Sequence, residues 1–552
     1  MKWHIQSTSN PKNLEELKQV LLSNRNIDDE QSFFKGISPF KITLEELGFD
    51  SIELDKIKKR LKIAKEKKQK IIIFGDYDAD GISATAVLWQ AMNALGYNVL
   101  PFIPNRLKHG YGLSVKALND LLAEHNDLSL VITVDNGIVA HPAFKFLKER
   151  GIDVIVTDHH QKDDQEPDVL ALFYSPKVCG CAVAWFLARE LSDAAASTAA
   201  QKKLLIELLA FVAIATVTDL MPLLSINRFL LMYGLVVLRS NVNLGLKNLF
   251  ALAKIDSDRI DAYTLGFQIG PRINAMGRLA DGMDALRLLC TKDKTKAATL
   301  SNLLHETNED RQNLTFDLTK QAEELVAKET QEKIIILSSP SYHEGIIGLI
   351  AGKMTEKFSK PSIVISEGPQ TSKASARSLP GFNITEFIRL FKKDLLEVGG
   401  HPLAAGFALE TEKIELVKKL MQAKAREMLA NQNLEKILEI DAVLENSLLT
   451  LEATKLINTF APFGLANAKP VFVLKNMLLK NYKTLGREEQ HLKLIVAFEG
   501  ETKEYEVLAW GRAALASQFN LNDRIDLAIS LDINTYRGVD KLQLILKDIK
   551  KV

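Results

Sequence analysis

The sequence predicts an α/β protein in which two α/β regions are joined by helices and followed by a small β-barrel. Three observations support this class. Strands alternate with helices between residues 71 and 156, the same alternation returns at about residue 334, and short alternating strands occupy the chain beyond about residue 470. Strand–helix alternation is typical of parallel sheets with right-handed crossovers, and a run of short strands is typical of a barrel.

The composition of the 552-residue chain fits several globular domains, because 47% of residues are apolar and 25% are charged. Lys and Arg number 70 against 69 Asp and Glu, which excludes a uniformly basic surface but not a local basic groove. Three cysteines exclude a disulfide scaffold and favour a reducing compartment. The most apolar run, 204–217, is too short and too charged to span a bilayer. We therefore expect a cytoplasmic protein with no membrane partner.

The pattern of elements divides the chain into five regions. They are an N-terminal extension (1–45), a first α/β domain (46–225), a helical connector (226–330), a second α/β domain (331–432) and a barrel with lead-in helices (433–552).

The first α/β domain follows a charged helix in which Ile57, Leu61 and Ala64 recur at helical spacing. This favours a surface helix over a nucleic-acid contact. The strands are expected at 71–74, 98–103, 128–134 and 152–156, and the helices at 83–95, at 114–123 and from about 141. Residues 204–218 are expected to form an apolar helix or a buried segment. Continuous β-branched runs such as 71–74 are typical of strands that are buried on both faces.

In the connector, the polar stretch 292–328 predicts one or two exposed helices. The second α/β domain is expected to contain strands at 334–337 and 362–366 and helices at 345–354 and 384–398, the last capped by Asn383 with Glu386. Barrel strands are expected at 471–474, 492–498, 505–510, 525–533 and 542–546. Tyr482, Trp510 and Tyr536 could stack on bases or could be core or rim residues, and for each of them a place in the core is favoured.

Acidic side chains follow three of the predicted strands. These are Asp76, Asp78 and Asp80 after the first, Asp135 after a later one and Asp158-His159-His160 after another, while Asp219 ends the apolar segment 204–218. Since the carboxyl ends of parallel strands share one edge of the sheet, we expect these groups to meet there. Gly75 and Gly81 would let the backbone bend sharply around Asp78 and Asp80.

Crowded carboxylates repel each other unless cations neutralise them. Oxygen ligands with one or two imidazoles and no thiolate favour Mn²⁺ or Mg²⁺, and histidine tilts the preference toward Mn²⁺. The sequence therefore predicts two divalent ions, which could activate a water for attack on a phosphoester.

These motifs resemble the DHH phosphoesterase superfamily, and Asp-Tyr-Asp-Ala-Asp-Gly at 76–81 is similar to its RecJ branch of 5′→3′ single-strand-specific DNA exonucleases. The similarity continues through 270–278, 343–348, 375–378 and 399–406. It implies that two metal ions are bound by Asp78, Asp80, Asp135, His159 and Asp219. It also implies that Asp76 lies close by and that His160 lies nearer the scissile phosphate.

The second α/β domain would be the DHHA1 domain of this family and would form the other wall of a cleft. Its candidate phosphate-binding and substrate-binding residues are Gly345, Gly348, Ser375, Arg377, Gly400 and His401. Gly345 and Gly348 flank a predicted helix start, where backbone N–H groups favour an anion, and Arg377 can hold a phosphate with two hydrogen bonds. Arg377 with His160 would offset negative charge that develops during hydrolysis.

In the connector, Arg272, Asn274 and Arg278 lie in a segment opened by Gly270-Pro271, which we expect not to be one uninterrupted helix. Contacts to DNA phosphates are favoured for them over packing between domains, and Asn308 and Arg311 have the same two alternatives. The chain departs from the family at 465–468, where Leu-Ala-Asn-Ala replaces the usual Gly-Asn. Cys179 and Cys181 lack a second ligand pair and are expected in a half-buried loop rather than at a metal.

The resemblance implies an exonuclease that degrades single-stranded DNA from the 5′ end, with an OB-fold barrel that binds the strand. We expect a monomer acting in DNA repair and recombination, with a helicase and a single-strand-binding protein as candidate partners. One alternative is a phosphodiesterase for short oligonucleotides or cyclic dinucleotides. Another is a repair scaffold without catalysis, although the complete set of carboxylates disfavours it.

Overall fold

The fold is known from a computed structural model, which describes residues 1–110, 112–192, 198–240, 243–326, 332–430, 434 and 436–552. Within these ranges, the strands form a two-stranded sheet, a five-stranded parallel sheet, a five-stranded mixed sheet and a six-stranded sheet that contains a barrel. The predicted class, two α/β units and a β-barrel, is confirmed.

The N-terminal region combines one strand with several helices. They are β1 (Lys2–Ile5), α1 (Leu14–Asn24), α2 (Glu30–Lys35), α3 (Leu44–Leu47) and α4 (Ser51–Glu66). Helix α4 buries Ile57, Leu61 and Ala64 as predicted and leaves its lysines outward. The strand β1 was not predicted, because its pairing partner lies more than 400 residues away.

The first α/β unit contains β2 (Lys70–Phe74), α5 (Ala79–Ala94), β3 (Val99–Phe102), α6 (Arg106–His109), α7 (Val115–Glu124), β4 (Leu128–Val134), α8 (His141–Lys148), β5 (Asp153–Asp158), β6 (Ala171–Tyr174), α9 (Gly180–Leu191) and α10 (Ala199–Thr218). The strand order is β3-β2-β4-β5-β6, and all neighbours are parallel. The order reverses between β2 and β4, and the crevice at such a switch point is the usual ligand site of an open α/β sheet.

The connector contains α11 (Ser225–Ser240), α12 (Leu244–Leu252), α13 (Ala262–Thr264), a π-helical turn (Leu265–Ile269), α14 (Gly270–Leu279), α15 (Gly282–Cys290) and α16 (Lys294–Val326). The prediction that Arg272, Asn274 and Arg278 could not share one uninterrupted helix is wrong, because all three lie on α14. Pro271 stands in the first turn of α14, where a missing N–H costs no hydrogen bond.

The second α/β unit contains β7 (Ile335–Ser339), α17 (Ile347–Phe358), β8 (Ser362–Ser366), β9 (Thr371–Arg377), α18 (Ile384–Arg389), β10 (Glu397–His401), β11 (Ala404–Glu410) and α19 (Ile414–Met428). Its sheet order is β10-β11-β9-β8-β7. Asn383 caps α18 as predicted. The predicted helix over 384–398 is too long, because α18 ends at Arg389 and the chain then pairs with β11 as the edge strand β10.

The C-terminal unit contains β12 (Ile437–Ile440), β13 (Ala442–Val443), α20 (Leu451–Asn458), β14 (Phe472–Leu485), β15 (His491–Phe498), β16 (Glu504–Ala509), β17 (Arg524–Tyr536) and β18 (Val539–Lys551). Strands β14 to β18 close into a five-stranded barrel through the β14–β17 and β16–β18 pairings. The prediction that Tyr482, Trp510 and Tyr536 lie in the core is wrong, because these residues are 38%, 55% and 65% exposed, respectively.

The N-terminal region packs against the barrel unit. Strand β1 pairs in parallel with β12, and Leu17, Leu21 and Phe33 share one apolar core with barrel residues. Arg25 forms a buried ion pair with Asp441 at 2.8 Å. The first 35 residues are therefore part of the platform that holds the barrel in place.

The turn at 465–468 contains no glycine. Ala466 adopts the left-handed conformation that a glycine would favour, with φ of 61°. Buried Asn467 accepts a hydrogen bond from Arg25 Nε and donates to the carbonyls of Phe460 and Pro462. These side-chain bonds hold the turn and offset the strain at Ala466.

In the part of the chain that the structure describes, no single helix is long and apolar enough to cross a membrane. Helices α11 and α12 reach that length and composition only together, and they are bent by 79° relative to each other.

We expect Arg25→Ala to destabilise the protein by about 3–5 kcal/mol, because it leaves the buried Asp441 carboxylate without its cation. Arg259→Ala, which removes an exposed pair with Asp256, is the matched control and should cost less than about 1 kcal/mol. Urea denaturation followed by circular dichroism measures both. Equal midpoints for the two variants would contradict the role of Arg25 in holding the barrel.

Candidate functional site

The acidic side chains meet at the switch point of the first sheet, as the sequence predicts. Asp80 and Asp135 follow the neighbouring strands β2 and β4, and each is only 2% exposed. His159 and His160 follow β5, the next strand, and Asp219 directly follows α10. Side chains from four separate chain segments are thus gathered at one edge of the sheet.

The loop after β2 turns directly into α5. Asp78 is the N-cap of this helix, and its carboxylate accepts hydrogen bonds from the N–H groups of Asp80 and Gly81. Neither Gly75 nor Gly81 adopts a positive φ, so the turn into α5 does not need the left-handed conformation of a glycine. Gly81 is needed for close packing instead, because a Cβ atom there would lie 2.6 Å from the Asp76 side chain.

The carboxylate of Asp80 is held by the N-terminus of α9. Its two oxygens accept hydrogen bonds from the N–H groups of Gly180 and Cys181, at 2.8 and 2.7 Å. The positive end of a helix dipole stabilises such an anion. The expected half-buried loop at Cys179–Cys181 is therefore wrong: Cys179 is the N-cap of α9, and both thiols are fully buried.

The imidazole of His159 points into the carboxylate cluster. Its Nε2 lies 3.1 Å from Asp135 Oδ1, 3.8 Å from Asp80 Oδ2 and 3.7 Å from Asp219 Oδ2. Although His159 Nε2 and Asp135 Oδ1 are close, neither has a hydrogen-bond partner of acceptable geometry among the described residues. Separations of about 3–4 Å between donor atoms are those of ligands around one divalent ion.

A second group of donor atoms adjoins the first. Oxygens of Asp76, Asp78 and Asp135 lie within 4.8 Å of one another, and so do the donor atoms of Asp80, His159 and Asp219. Asp135 belongs to one group and approaches His159 of the other, so it lies between them. Buried Asp76 Oδ1 also lacks a hydrogen-bond partner in the described structure. Two adjacent cation sites fit this arrangement.

Burial and mutual repulsion disfavour the charged forms of these carboxyl groups. Burial, followed by the charge of Asp78, raises the pKa of Asp80 to about 6. Burial, followed by Asp80 and Asp78, raises the pKa of Asp219 to about 8. The pKa values of Asp76 and Asp135 are also raised, again chiefly by burial. Burial lowers the pKa of His159 to about 4, which keeps it neutral and able to bind a metal.

His160 has the opposite electrostatic environment. Burial by itself lowers its pKa, but the hydrogen bond and charge of Asp158 raise the pKa to about 9. Asp158 Oδ1 lies 2.7 Å from His160 Nδ1 and also accepts from the backbone N–H of His159. The Asp158 carboxylate therefore orients both histidines. The sequence analysis predicted that Asp158 lies at this edge of the sheet but did not predict that it orients the histidines.

The donor set fits divalent cations. Carboxylate oxygens with one neutral imidazole and no thiolate are the ligands that Mn²⁺ and Mg²⁺ accept, and the buried atoms without hydrogen-bond partners are those a cation would satisfy. The thiols nearby do not contribute, since burial raises the pKa of Cys179 and of Cys181.

Four arginines converge beside the carboxylates. Burial, followed by the charges of Arg106, Arg311 and Arg377, lowers the pKa of Arg278 to about 10. Arg106, on α6 after β3, was missed by the sequence interpretation, which considered only strand ends that carry acidic residues. No carboxylate lies within 4.0 Å of any of these four guanidinium groups in the described ranges. Clustered, unpaired guanidinium groups are typical of phosphate-binding sites.

The second α/β unit supplies the opposite wall of this cleft. Arg377 Nη1 donates to Ser375 Oγ at 3.2 Å, and both side chains border Gly348 at the start of α17. A Cβ atom at Gly348 would lie 3.1 Å from Arg377 Nη2, so glycine leaves this cradle open. Three of the predicted phosphate-binding residues are thus brought together.

The other residues of this unit that were predicted to bind substrate are Gly345, Gly400 and His401. Gly345 is buried against α14, and its carbonyl accepts a hydrogen bond from Arg278 at 3.0 Å. Gly400 and His401 lie exposed on the edge strand β10. The charge of His401 contributes to lowering the pKa of His159, so the two imidazoles interact electrostatically.

The connector residues combine packing with a position in the cleft. Asn274 Oδ1 accepts from the N–H of Ala79, so this side chain holds the loop of Asp78 and Asp80. Arg272 donates to the carbonyl of Gln268, at 2.6 Å. Arg311 donates to Asn308, which is buried and whose Nδ2 has no hydrogen-bond partner among the described residues. DNA contact remains a prediction for these residues.

Three family models match the chain in the order of its units. They are the DHH family, N-terminal domain (residues 70–216), the DHHA1 domain (331–427) and the RecJ OB domain (440–548). The fold and the site thus define a DHH–DHHA1 protein with a C-terminal OB-fold. The boundaries at 45, 225, 330 and 432 remain predictions.

Relatives specify the family within this class. The chain is 32% identical to the single-stranded-DNA-specific exonuclease RecJ of Bacillus subtilis, over 99% of this chain and 70% of the relative, and 31% identical to that of Escherichia coli, over 87% of each. A crystal structure of Thermus thermophilus RecJ in complex with Mn²⁺ matches all of this chain and 80% of its own, with a TM-score of 0.84 and 26% identity. The chain belongs to the RecJ family.

The same Thermus thermophilus protein has also been solved with Mg²⁺, and this structure matches the chain with a TM-score of 0.76 and 25% identity. RecJ structures thus contain Mn²⁺ or Mg²⁺, the two ions that the donor set predicts.

We expect Asp135→Asn to raise the melting temperature of the metal-free protein and to abolish further stabilisation by Mn²⁺. Removing one buried like charge should gain on the order of 1 kcal/mol. Asparagine also suits the left-handed backbone of residue 135, where φ is 60°. Scanning calorimetry with EDTA or Mn²⁺ measures both effects.

Asp168→Asn, at an exposed side chain paired with Lys148, is the control and should behave as the wild type in both conditions. If Mn²⁺ raised the melting temperature of the Asp135→Asn protein as much as that of the wild type, the result would contradict the metal centre.

Proposed function

We propose that the protein is a single-strand-specific DNA exonuclease that hydrolyses phosphodiester bonds from the 5′ end, with two divalent ions, Mn²⁺ in preference to Mg²⁺. The observation that carries this proposal is the arginine cluster beside the carboxylate cluster. The arginines can hold a terminal phosphate while the next phosphodiester lies at the metal centre. Relatives over most of the chain are named single-stranded-DNA-specific exonucleases. The 5′→3′ direction rests on the family resemblance.

The metal ligands would be Asp80, His159 and Asp219 at one site and Asp76 and Asp78 at the other, with Asp135 between them. Divalent ions bound there would lower the pKa of a water and stabilise the leaving oxygen in an in-line displacement.

The protein's own groups position the substrate around this centre. The protonated imidazole of His160, held by Asp158, donates a hydrogen bond toward a phosphate oxygen and offsets its charge. Arg278 and Arg377 hold the phosphate at the end of the strand. Asn274 keeps the loop of Asp78 and Asp80 in place through the N–H of Ala79.

The barrel favours long strands over dinucleotides as substrates. The exposed rings of Trp510 and Tyr536 can stack on bases of any sequence. We further propose that the enzyme acts as a monomer in the cytoplasm, in DNA repair and recombination, on strands supplied by a helicase and a single-strand-binding protein.

We expect Asp80→Ala to abolish hydrolysis while leaving DNA affinity largely intact, since the arginines and the barrel remain. Oligonucleotides labelled at the 5′ or 3′ end, with and without a complementary strand, are digested with Mn²⁺. The wild type should release the 5′ label first as a mononucleotide and should spare the duplex. Early release of the 3′ label would overturn the polarity, and hydrolysis limited to 5-mers would favour the short-oligonucleotide phosphodiesterase.

Arg377→Ala should raise KM for a 5′-phosphorylated strand by roughly 10-fold or more, because a charged hydrogen bond to phosphate is lost. The effect should be much smaller on a strand with a 5′-hydroxyl, and Arg377→Lys should restore part of the affinity. Arg389→Ala, on the exposed face of α18, serves as the control. An equal loss on both substrates would show that Arg377 acts on structure rather than on the terminal phosphate.

A further inference from the structure

Two aromatic rings project from the turn that leads into α14. The rings of Tyr263 and Phe267 stack with centroids 4.8 Å apart and planes 25° from parallel. Both residues are largely exposed, 61% for Tyr263 and 68% for Phe267. Such a pair gains little from burial within the protein, and most of the surface of both residues is open to solvent.

The backbone that carries this pair is unusual. Residues Leu265–Ile269 form a π-helical turn between α13 and α14. π-Turns are rare and frequently lie at functional sites, because the extra residue redirects a side chain. Arg272 stabilises this turn through its hydrogen bond to the carbonyl of Gln268.

Close contacts place the turn beside the metal centre. Gly270 lies against the side chain of Thr218, and Gly266 approaches Val217, the two residues that directly precede Asp219. Helix α14 then passes the loop of Asp78 and Asp80, and Arg278 near its end belongs to the arginine cluster. The aromatic pair therefore precedes α14 and Arg278 lies near its end, and the contacts of Gly270 with Thr218 and of Asn274 with Ala79 lie between them.

The separation fits a short stretch of single strand. Arg278 stands eleven positions after Phe267, which corresponds to about 16 Å along an α-helix. At the 3.4 Å spacing of stacked nucleotides, this is at most about five nucleotides. Arg272 lies between the two ends and has no carboxylate within 4.0 Å among the described residues, so positive charge continues along the path.

We propose that Tyr263 and Phe267 form a platform on which a base of the DNA strand stacks, a few nucleotides to the 3′ side of the scissile phosphate. The proposal rests on the proposed function, since the strand is the exonuclease substrate. Stacking on aromatic rings tolerates every base, because each base has a flat π face. The platform would hold the strand in register as each nucleotide is removed.

The test compares Phe267→Ala and Tyr263→Ala with Leu416→Ala, which removes an exposed apolar side chain from α19. Fluorescence anisotropy measures binding of a 5′-phosphorylated 12-mer in EDTA, with an abasic residue placed at each position from 2 to 7. Initial rates with Mn²⁺ give KM and kcat for the unmodified strand.

For the wild type and for Leu416→Ala, an abasic residue at one particular position should weaken binding by roughly 5- to 100-fold relative to the intact strand, and the other positions should have smaller effects. Phe267→Ala should weaken binding of the intact strand by a similar factor and lose the sensitivity at that position, with KM raised more than kcat is lowered. Phe267→Trp should restore the sensitivity. Combining each variant with each abasic strand distinguishes stacking from a folding defect, because a folding defect would weaken binding of every strand by the same factor.

If Phe267→Ala and Tyr263→Ala bind the 12-mer and respond to abasic positions as the wild type does, the platform is refuted and the exposed pair belongs to a contact with another protein. This result would leave the exonuclease activity of the wild type in place. Absence of hydrolysis by the wild type itself would instead refute the proposed function.

Discussion

The structure depends on the electrostatic cost of gathering carboxylates at the switch point of a parallel sheet. Asp76, Asp80 and Asp135 are almost wholly buried, and their raised pKa values reflect burial first and repulsion second. Only part of this cost is offset by the protein, chiefly where the N-terminus of α9 holds Asp80. Bound cations would offset the rest, so metal binding and the stability of this edge of the sheet are coupled.

The same constraint organises the surrounding elements. A negative cluster that holds cations attracts a phosphodiester only if its neighbours are positive, and the four arginines supply this charge. They come from α6, α14, α16 and β9, so the cleft is complete only when the connector and the second α/β unit are in place. Arg278 contacts the Gly345 carbonyl and thus joins two units while it contributes to the cleft.

Much of the fold and the acidic half of the site could be predicted from the sequence. Asp135 and His159 each directly follow a strand that is recognisable from the local sequence, and the parallel topology brings the ends of these strands together. Arg106 was missed because a single arginine after a short strand carries no pattern. The contact of Asn274 with Ala79 depends on how α14 lies across the sheet, which no local feature specifies.

The helix predicted over 384–398 shows how tertiary pairing overrides a local pattern. The segment after Arg389 has helical periodicity, but pairing of β10 with β11 overrides it. A contact distant in sequence thus decided between two locally acceptable structures. The exposure of Trp510 and Tyr536, by contrast, agrees with strand alternation, because they share the outward register of Glu506 and Asn534.

The most direct test of the metal centre is an anomalous difference map from crystals of the protein grown with Mn²⁺. Our account predicts two peaks on either side of the Asp135 carboxylate, one next to His159 and Asp219 and the other next to Asp76 and Asp78. A map without peaks among these side chains, at full Mn²⁺ concentration, would contradict it.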